Sequence, residues 1–293
     1  MKLHKLLSNP IFFAILAAAL YALSTPISKM MLASVPPTMV AAFLYIGAGI
    51  GMGGMMLVRK QVKTATKEEK LTRSDIPYAV AMVLLDIIAP ILMMFGLKST
   101  SAANTALLNN FEIVATALIA LLFFREKVSR KLWVAIAFVT VASVLLSLSV
   151  GGSADVFAFS KGSLLVLGAT VCWGLENNCT RQIAGKDPMQ IVTIKGFGSG
   201  AGALVIALVI GEAFPDWKYL AIILLLGFVA YGLSIFFYTL AQRSIGAAKT
   251  STYYAVAPFI GALLSIVLLG EPITLLFVIA TVLMALGCWL AAE

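Results

Sequence analysis

Long apolar runs alternate with short polar breaks along the whole chain, and the runs have helical rather than strand length. A membrane-spanning helix takes about 20 apolar residues, whereas a membrane β-strand takes about 10 in alternating pattern. The uninterrupted runs here predict ten helices, at 10–33, 36–58, 76–97, 101–124, 131–150, 161–183, 188–211, 218–241, 247–269 and 272–291. Between the second and third lies the longest polar stretch, Arg59–Asp75, which reads as a solvated loop or a short surface helix. The first run follows Lys2 and Lys5 and has the outline of a signal peptide, but an internal counterpart described below marks it as a retained helix.

Composition makes the bilayer reading firm. Of the 293 residues 61% are hydrophobic and 12% charged, with mean hydropathy +1.02, while soluble domains are about a quarter charged. Ten spans occupy about 200–220 residues, which leaves no room for a soluble catalytic domain. The fold expected is all-α, one integral membrane domain. Its net charge of +8 does not call for a nucleic-acid partner, because the basic residues are sorted by side. With the amino terminus inside, sixteen Lys and Arg fall on the cytosolic side and four (Lys29, Lys98, Lys161, Lys218) on the other. Both termini are therefore expected in the cytosol, in a bacterial inner membrane. Cys172, Cys179 and Cys288 form no C-x-x-C pair, and His4 is the single histidine. Neither a disulfide framework nor a zinc or haem site is expected, and no cofactor. The phosphate-binding G-x-x-x-x-G-K-[ST] loop is missing, so ATP is not the expected driver.

The two halves of the chain resemble one another. A shift of 145 aligns Ser99 with Ser244, Ala102 with Ala247, Thr105 with Thr250, Ala117 with Ala262 and Glu126 with Glu271. A shift of 152 aligns Leu23 with Leu175, Lys29 with Arg181 and Pro36 with Pro188. Each half, 1–150 and 151–293, carries five segments in the same order. Five is odd, so the second half enters the membrane from the opposite side. Such inverted repeats belong to alternating-access carriers whose substrate binds near midplane.

The stretches FFREKVS and LLGEPIT, each following a small-residue helix opening (TSAANTA, IGAAKTS), together with LYAL and CWGL, resemble the EamA repeat of the drug/metabolite transporter superfamily. The resemblance covers nearly the whole chain. It implies a ten-helix exporter with two inverted five-helix repeats around a central cavity, in a group that moves amino acids, nucleobase-like metabolites, sugar phosphates and drugs. The first half departs from the pattern where Glu112–Ile113 stands for the Ala257–Pro258 of the second, so the kink expected in the ninth helix is not required in the fourth.

Four ionisable residues lie well inside apolar runs: Asp86, Glu112, Glu176 and Lys195. Each costs about 2.5–3.5 kcal/mol to insert and should face a cavity or a partner. Glu176 and Lys195 lie at equal depth, about 10 Å from the same side at 1.5 Å per residue, and are expected to pair, either as packing or as part of a site. Asp86 and Glu112 lie near midplane on consecutive helices with no further cation to neutralise them. Two such carboxylates cannot both stay ionised cheaply. They are expected to exchange protons or bind a cation, or to hold a proton that bonds Asn109 or Asn110. Amides and hydroxyls surround them: Asn109, Asn110, Asn177 and Asn178, with Ser24, Thr25 and Ser28. These could read a polar ligand or join helices. Trp173, Tyr21, Tyr45, Tyr231, Tyr253 and Tyr254 are candidate pocket aromatics, while Trp133, Trp217 and Trp289 sit near helix ends as interface anchors. The glycine runs Gly47–Gly54 and Gly196–Gly202 suit close helix packing. Pro26, Pro90 and Pro258 should bend their helices, and Glu126 and Glu271 should cap or shape turns. The expected function is a secondary carrier exporting a small amphipathic metabolite, an amino acid or an organic cation, with protons as coupling ion and lipid as surroundings. A lipid-acting membrane enzyme and a channel are the alternatives. The first lacks a histidine for a nucleophile–base or metal set, and the inversion favours a carrier over the second.

Overall fold

The structure, a computed structural model, describes residues 10–61, 69–124, 129–148, 160–183, 185–245, 250 and 253–292. Lys2, His4, Lys5, Lys63, Lys67, Glu126, Lys249 and the boundary at 150 between the two halves lie outside the described residues. Those described are mostly helical, joined by short loops, and contain no strand. In chain order the helices are α1 (Pro10–Ala22), α2 (Ser24–Met31), α3 (Pro37–Gln61), α4 (Ile76–Ser99), α5 (Ala102–Leu108), α6 (Phe111–Phe124) and α7 (Arg130–Ser147). They continue with α8 (Lys161–Arg181), α9 (Pro188–Val209), α10 (Trp217–Leu226), a π-helical segment Gly227–Leu233, α11 (Ser234–Ile245), α12 (Ala257–Leu269) and α13 (Leu275–Ala292).

Local sequence sets these limits. Ser101, Ser129, Ser160 and Asp187 each accept a bond from a first-turn N–H of α5, α7, α8 and α9, as N-caps do. Pro37 and Pro188 open α3 and α9, where the missing N–H costs nothing. Gly270, with φ +64°, takes the left-handed position that ends α12.

Seven helical stretches among the described residues are long and apolar enough to cross a membrane: Pro10–Met31, Pro37–Arg59, Arg73–Ser99, Ala102–Phe123, Arg130–Ser147, Pro188–Val209 and Trp217–Ala241. Ala257–Leu269 and Leu275–Ala291 are shorter apolar helices. The sixth predicted span, α8, has 21 residues but falls outside this apolar set, because it carries Thr170, Glu176, Asn177, Asn178 and Thr180. Large apolar side chains point outward all round, with Val209 80% and Trp217 81% exposed, a surface suited to lipid rather than water. Trp133 and Trp289 are likewise exposed, at the expected helix ends.

Helix pairs join the two halves: α3 packs on α9, α7 on α13, α4 on α8 and α1 on α11. The two glycine runs pack directly on each other. A Cβ on Gly196 would meet the Gly49 nitrogen at 2.4 Å, and one on Gly200 the Ile46 nitrogen at 2.7 Å. Gly47 presses on α10 just before the π-helical segment, where a Cβ would stand 2.1 Å from the Leu224 carbonyl oxygen. Backbone, unlike a flexible side-chain tip, cannot yield. Gly47→Ala is therefore expected to destabilise the protein by about 1–3 kcal/mol through overpacking. Gly54→Ala, with nothing within 4 Å, should be neutral or stabilise by about 0.5–1 kcal/mol through helix propensity. Melting curves of the two variants in one detergent check the difference in sign.

Three of the apolar stretches are interrupted near their middles. The first breaks at Leu23 between α1 and α2, just before Pro26, and a turn at Ala255–Val256 precedes Pro258. The fourth is interrupted at Asn109–Asn110 without any proline, although its departure from the Ala-Pro pattern removed the need for a kink. Tight i→i−3 bonds close this turn, from Asn110 N to Leu107 O at 3.0 Å and from Glu112 N to Asn109 O at 3.1 Å. Asparagine favours turn geometry over helix interiors because its side chain competes for the backbone. Pro90, by contrast, lies inside the unbroken α4.

Candidate functional site

The interruptions and the buried charges meet in the middle of the bundle. On α4 the buried residues Asp86, Ala89, Pro90, Met93, Met94 and Leu97 recur at helical spacing and form one stripe. On α8, Trp173, Glu176, Asn177 and Thr180 follow at i, i+3, i+4 and i+7, hence on one face.

Lys195 from α9 reaches between these two helices. Its Nζ lies 3.1 Å from Glu176 Oε1 and 3.0 Å from Asp86 Oδ2. The expected Glu176–Lys195 contact is present, but the expectation that no cation remains for Asp86 is corrected: one lysine serves both carboxylates. Equal depth on neighbouring helices located one partner, whereas the second depends on how α4 and α9 are rotated. Asp86 is fully buried, and its other oxygen, Oδ1, accepts from the Tyr45 hydroxyl at 3.0 Å and the Trp173 indole N–H at 3.2 Å. The Thr180 hydroxyl donates to Glu176 Oε1.

Glu112 stands apart from this triad. The expected pairing of Asp86 with Glu112 is also corrected: Glu112 Oε1 accepts from Asn177 Nδ2 at 2.6 Å, and no contact joins it to Asp86. Helical phase is the reason, because Asp86 faces α9 while Glu112, in the first turn of α6, faces α8. Asn178 is interhelical glue, donating to the Thr116 and Gly174 carbonyls. Asn110 accepts from the Cys288 thiol at 3.3 Å.

Beside the triad lies a narrow cleft. Tyr21, Trp173 and Tyr231 supply its aromatic walls. Ser24, Thr25 and Asn109 supply its polar atoms, and Met93, Met94 and Leu97 its apolar end. The π-helical segment presents Tyr231, whose ring packs on Tyr21 and Tyr45 with centroids 5.9 and 5.4 Å apart; single π turns inside helices often mark functional sites. Asn109 is 8% exposed and its Oδ1 has no protein partner. Tyr254 packs on Tyr21 and Tyr238 behind this wall rather than lining it, and Lys195, Glu176, Asn177 and Glu112 also stand behind the lining. Sequence reasoning missed Met93, Met94 and Leu97. Their spacing from Asp86 along one helix face was the available signal.

At one end of the cleft each half contributes a charged clamp. Lys29 Nζ donates to the carbonyls of Leu97 and Thr100, both at 2.6 Å, at the end of α4. Glu271 accepts from Ala102 N at 2.6 Å and Ala103 N at 2.7 Å, capping α5. Glu271 thus caps a helix of the other half rather than its own turn; its counterpart Glu126 lies outside the described residues. Glu212 accepts from Thr38 N and Met39 N at the start of α3. At the far end of α3, Arg59 pairs with Asp187, and Lys186 reaches Glu69 at 3.3 Å.

A polytopic helical bundle with an apolar outer surface, interrupted helices and a central cleft that mixes aromatic, apolar and polar side chains has the construction of a membrane transporter. The chain belongs to the EamA-like transporter family, whose family model matches it twice, over residues 8–148 and 160–292. It is 27% identical over 290 residues to an uncharacterized transporter of Methanothermobacter thermautotrophicus, covering 94% of this chain and 84% of that protein. It is 25% identical over 242 residues to the uncharacterized transporter YyaM of Bacillus subtilis, covering 80% of this chain and 78% of that protein. A crystal structure of another protein shares the fold with TM-score 0.68, over 96% of this chain and 95% of that one, at 16% identity.

Proposed function

We propose that this transporter is a secondary active carrier that exports small amphipathic metabolites, amino acids or organic cations, by alternating access in exchange for protons. The observation that carries the reading is the cluster of the buried Asp86 and Glu176 with the partly buried Glu112 and Lys195, beside a cleft lined by aromatic rings, hydroxyls and the Asn109 amide. Charges this costly to bury mark ion and substrate pathways. Two family matches of similar length, five predicted segments in each half and reciprocal packing of α4 on α8 and α1 on α11 support ten spanning helices in two inverted repeats. Substrate then binds where the halves meet.

Proteoliposomes with an acidic lumen provide the test, using labelled amino acids and phenyltrimethylammonium, a cation with no neutral form to leak. At least one panel member should accumulate only while the pH gradient lasts. Accumulation unaffected by collapsing the gradient ends the proton-exchange reading, and downhill flux that never saturates favours a channel.

The excess of Lys and Arg on one side supports an orientation with both termini in the cytosol. With the native cysteines replaced by serine, Lys218→Cys should react with an impermeant maleimide in intact cells, and Arg130→Cys only after permeabilisation. Both side chains are exposed, so the reverse pattern would overturn the orientation.

A further inference from the structure

We infer that the central cleft selects a small organic monocation, an amine or quaternary ammonium on a single apolar body, and discriminates against the zwitterion and the anion of the same body. This deepens the carrier reading and rests on it. Among the described residues no charged side chain lines the cleft, so those residues offer a ligand no full charge of either sign. Three aromatic rings, Tyr21, Trp173 and Tyr231, line it, and such rings attract cations, while the thioethers of Met93 and Met94 are polarisable and apolar. One hydrogen-bond acceptor waits unused: Asn109 Oδ1, buried and partnerless at the cleft wall. An ammonium N–H satisfies it, and leaving such an atom unpaired is costly.

The field behind the lining has the same sign. Trp173 and Tyr45 both donate to Asp86, which places that carboxylate directly behind the aromatic wall. Around it stand three carboxyls, Asp86, Glu176 and Glu112, and one ammonium, Lys195. Fully ionised, the group carries two net negative charges, and with two carboxyls protonated it is neutral. It turns positive only if all three are protonated. A ligand carboxylate therefore meets repulsion or indifference and has no cation within the cleft to answer it. An amino acid loses on its carboxylate what it gains on its ammonium, whereas the matching amine keeps the gain.

Equilibrium binding to the purified, nanodisc-embedded protein tests this with three probes sharing one body: phenethylamine, phenylalanine and 3-phenylpropionate. Phenethylamine should bind at least tenfold more tightly than either of the others. Asn109→Leu should weaken it by a factor of ten or more with an unchanged melting temperature. If that variant fails to fold, Asn109→Asp keeps the acceptor and adds a negative charge, and should preserve or tighten phenethylamine binding. Equal or tighter binding of phenylalanine or phenylpropionate overturns the inference, as does binding of none of the three. The carrier reading fails separately, if phenethylamine binds with this selectivity but no panel member, phenyltrimethylammonium included, crosses proteoliposomes in a protein-dependent, saturable way.

Discussion

Lys195→Met is expected to be among the most destabilising single substitutions in the protein, with a loss of about 3–5 kcal/mol. Its Nζ is shared by two carboxylates, Asp86 and Glu176, that are 0% and 2% exposed. Removing it leaves both buried without a cation, and leaving a charge unpaired costs more than the pair contributes. Methionine keeps the volume and the unbranched stem, so the loss reports charge rather than a cavity. The combined variant Lys195→Met, Asp86→Asn, Glu176→Gln should recover most of the stability. It removes the stranded charges together, and the new amides can still accept from Tyr45, Trp173 and Thr180. Melting temperature and the monodisperse fraction after size-exclusion chromatography in detergent measure both effects. Strictly additive losses across the set, with no recovery, would reject the triad as a coupled unit.

The same triad shows how far the sequence could be read. Seven of the ten predicted spans were legible from apolar run length alone; the last two are shorter apolar helices, and α8 is long enough but falls outside the set because the polar residues that build the site lower its hydropathy. Depth was legible too: counting residues from helix ends put Glu176 and Lys195 level. Rotation about the helix axis was not. A wrong phase made Asp86 and Glu112 partners, although Asp86 turns to α9 and Glu112 to Asn177 on α8. The repeat showed that Glu126 and Glu271 are equivalent. It could not show that Glu271 reaches across to cap α5 in the other half, since equivalence in sequence says nothing of contact in space. The Asn109–Asn110 interruption was visible as composition and was read as ligand recognition. Its second consequence, a break in the helix without proline, follows from the same side-chain chemistry.

Glu112→Gln is expected to abolish gradient-driven accumulation while sparing the fold. The carboxyl makes a single described side-chain contact, accepting from Asn177 Nδ2 at 2.6 Å, and a glutamine oxygen accepts that bond equally well. What the substitution removes is the ability to carry a proton. With one proton exchanged per cation, a gradient of one pH unit sustains about a tenfold concentration ratio, worth 1.4 kcal/mol. If Glu112 is the exchanging group, the variant should let the ratio collapse to about one, since equilibrative exchange is all that remains. Asp86→Asn separates the roles: Asp86 already has an ammonium at 3.0 Å and two donors on its other oxygen, so its loss should weaken folding and binding together. Glu112 has no such ammonium and is the freer carrier of a proton. The measurement is the steady-state ratio of labelled substrate in proteoliposomes at fixed pH difference, alongside melting temperature. Full accumulation by both Glu112→Gln and Asp86→Asn would remove these carboxyls from the coupling mechanism and leave them as polar packing between α4, α6 and α8.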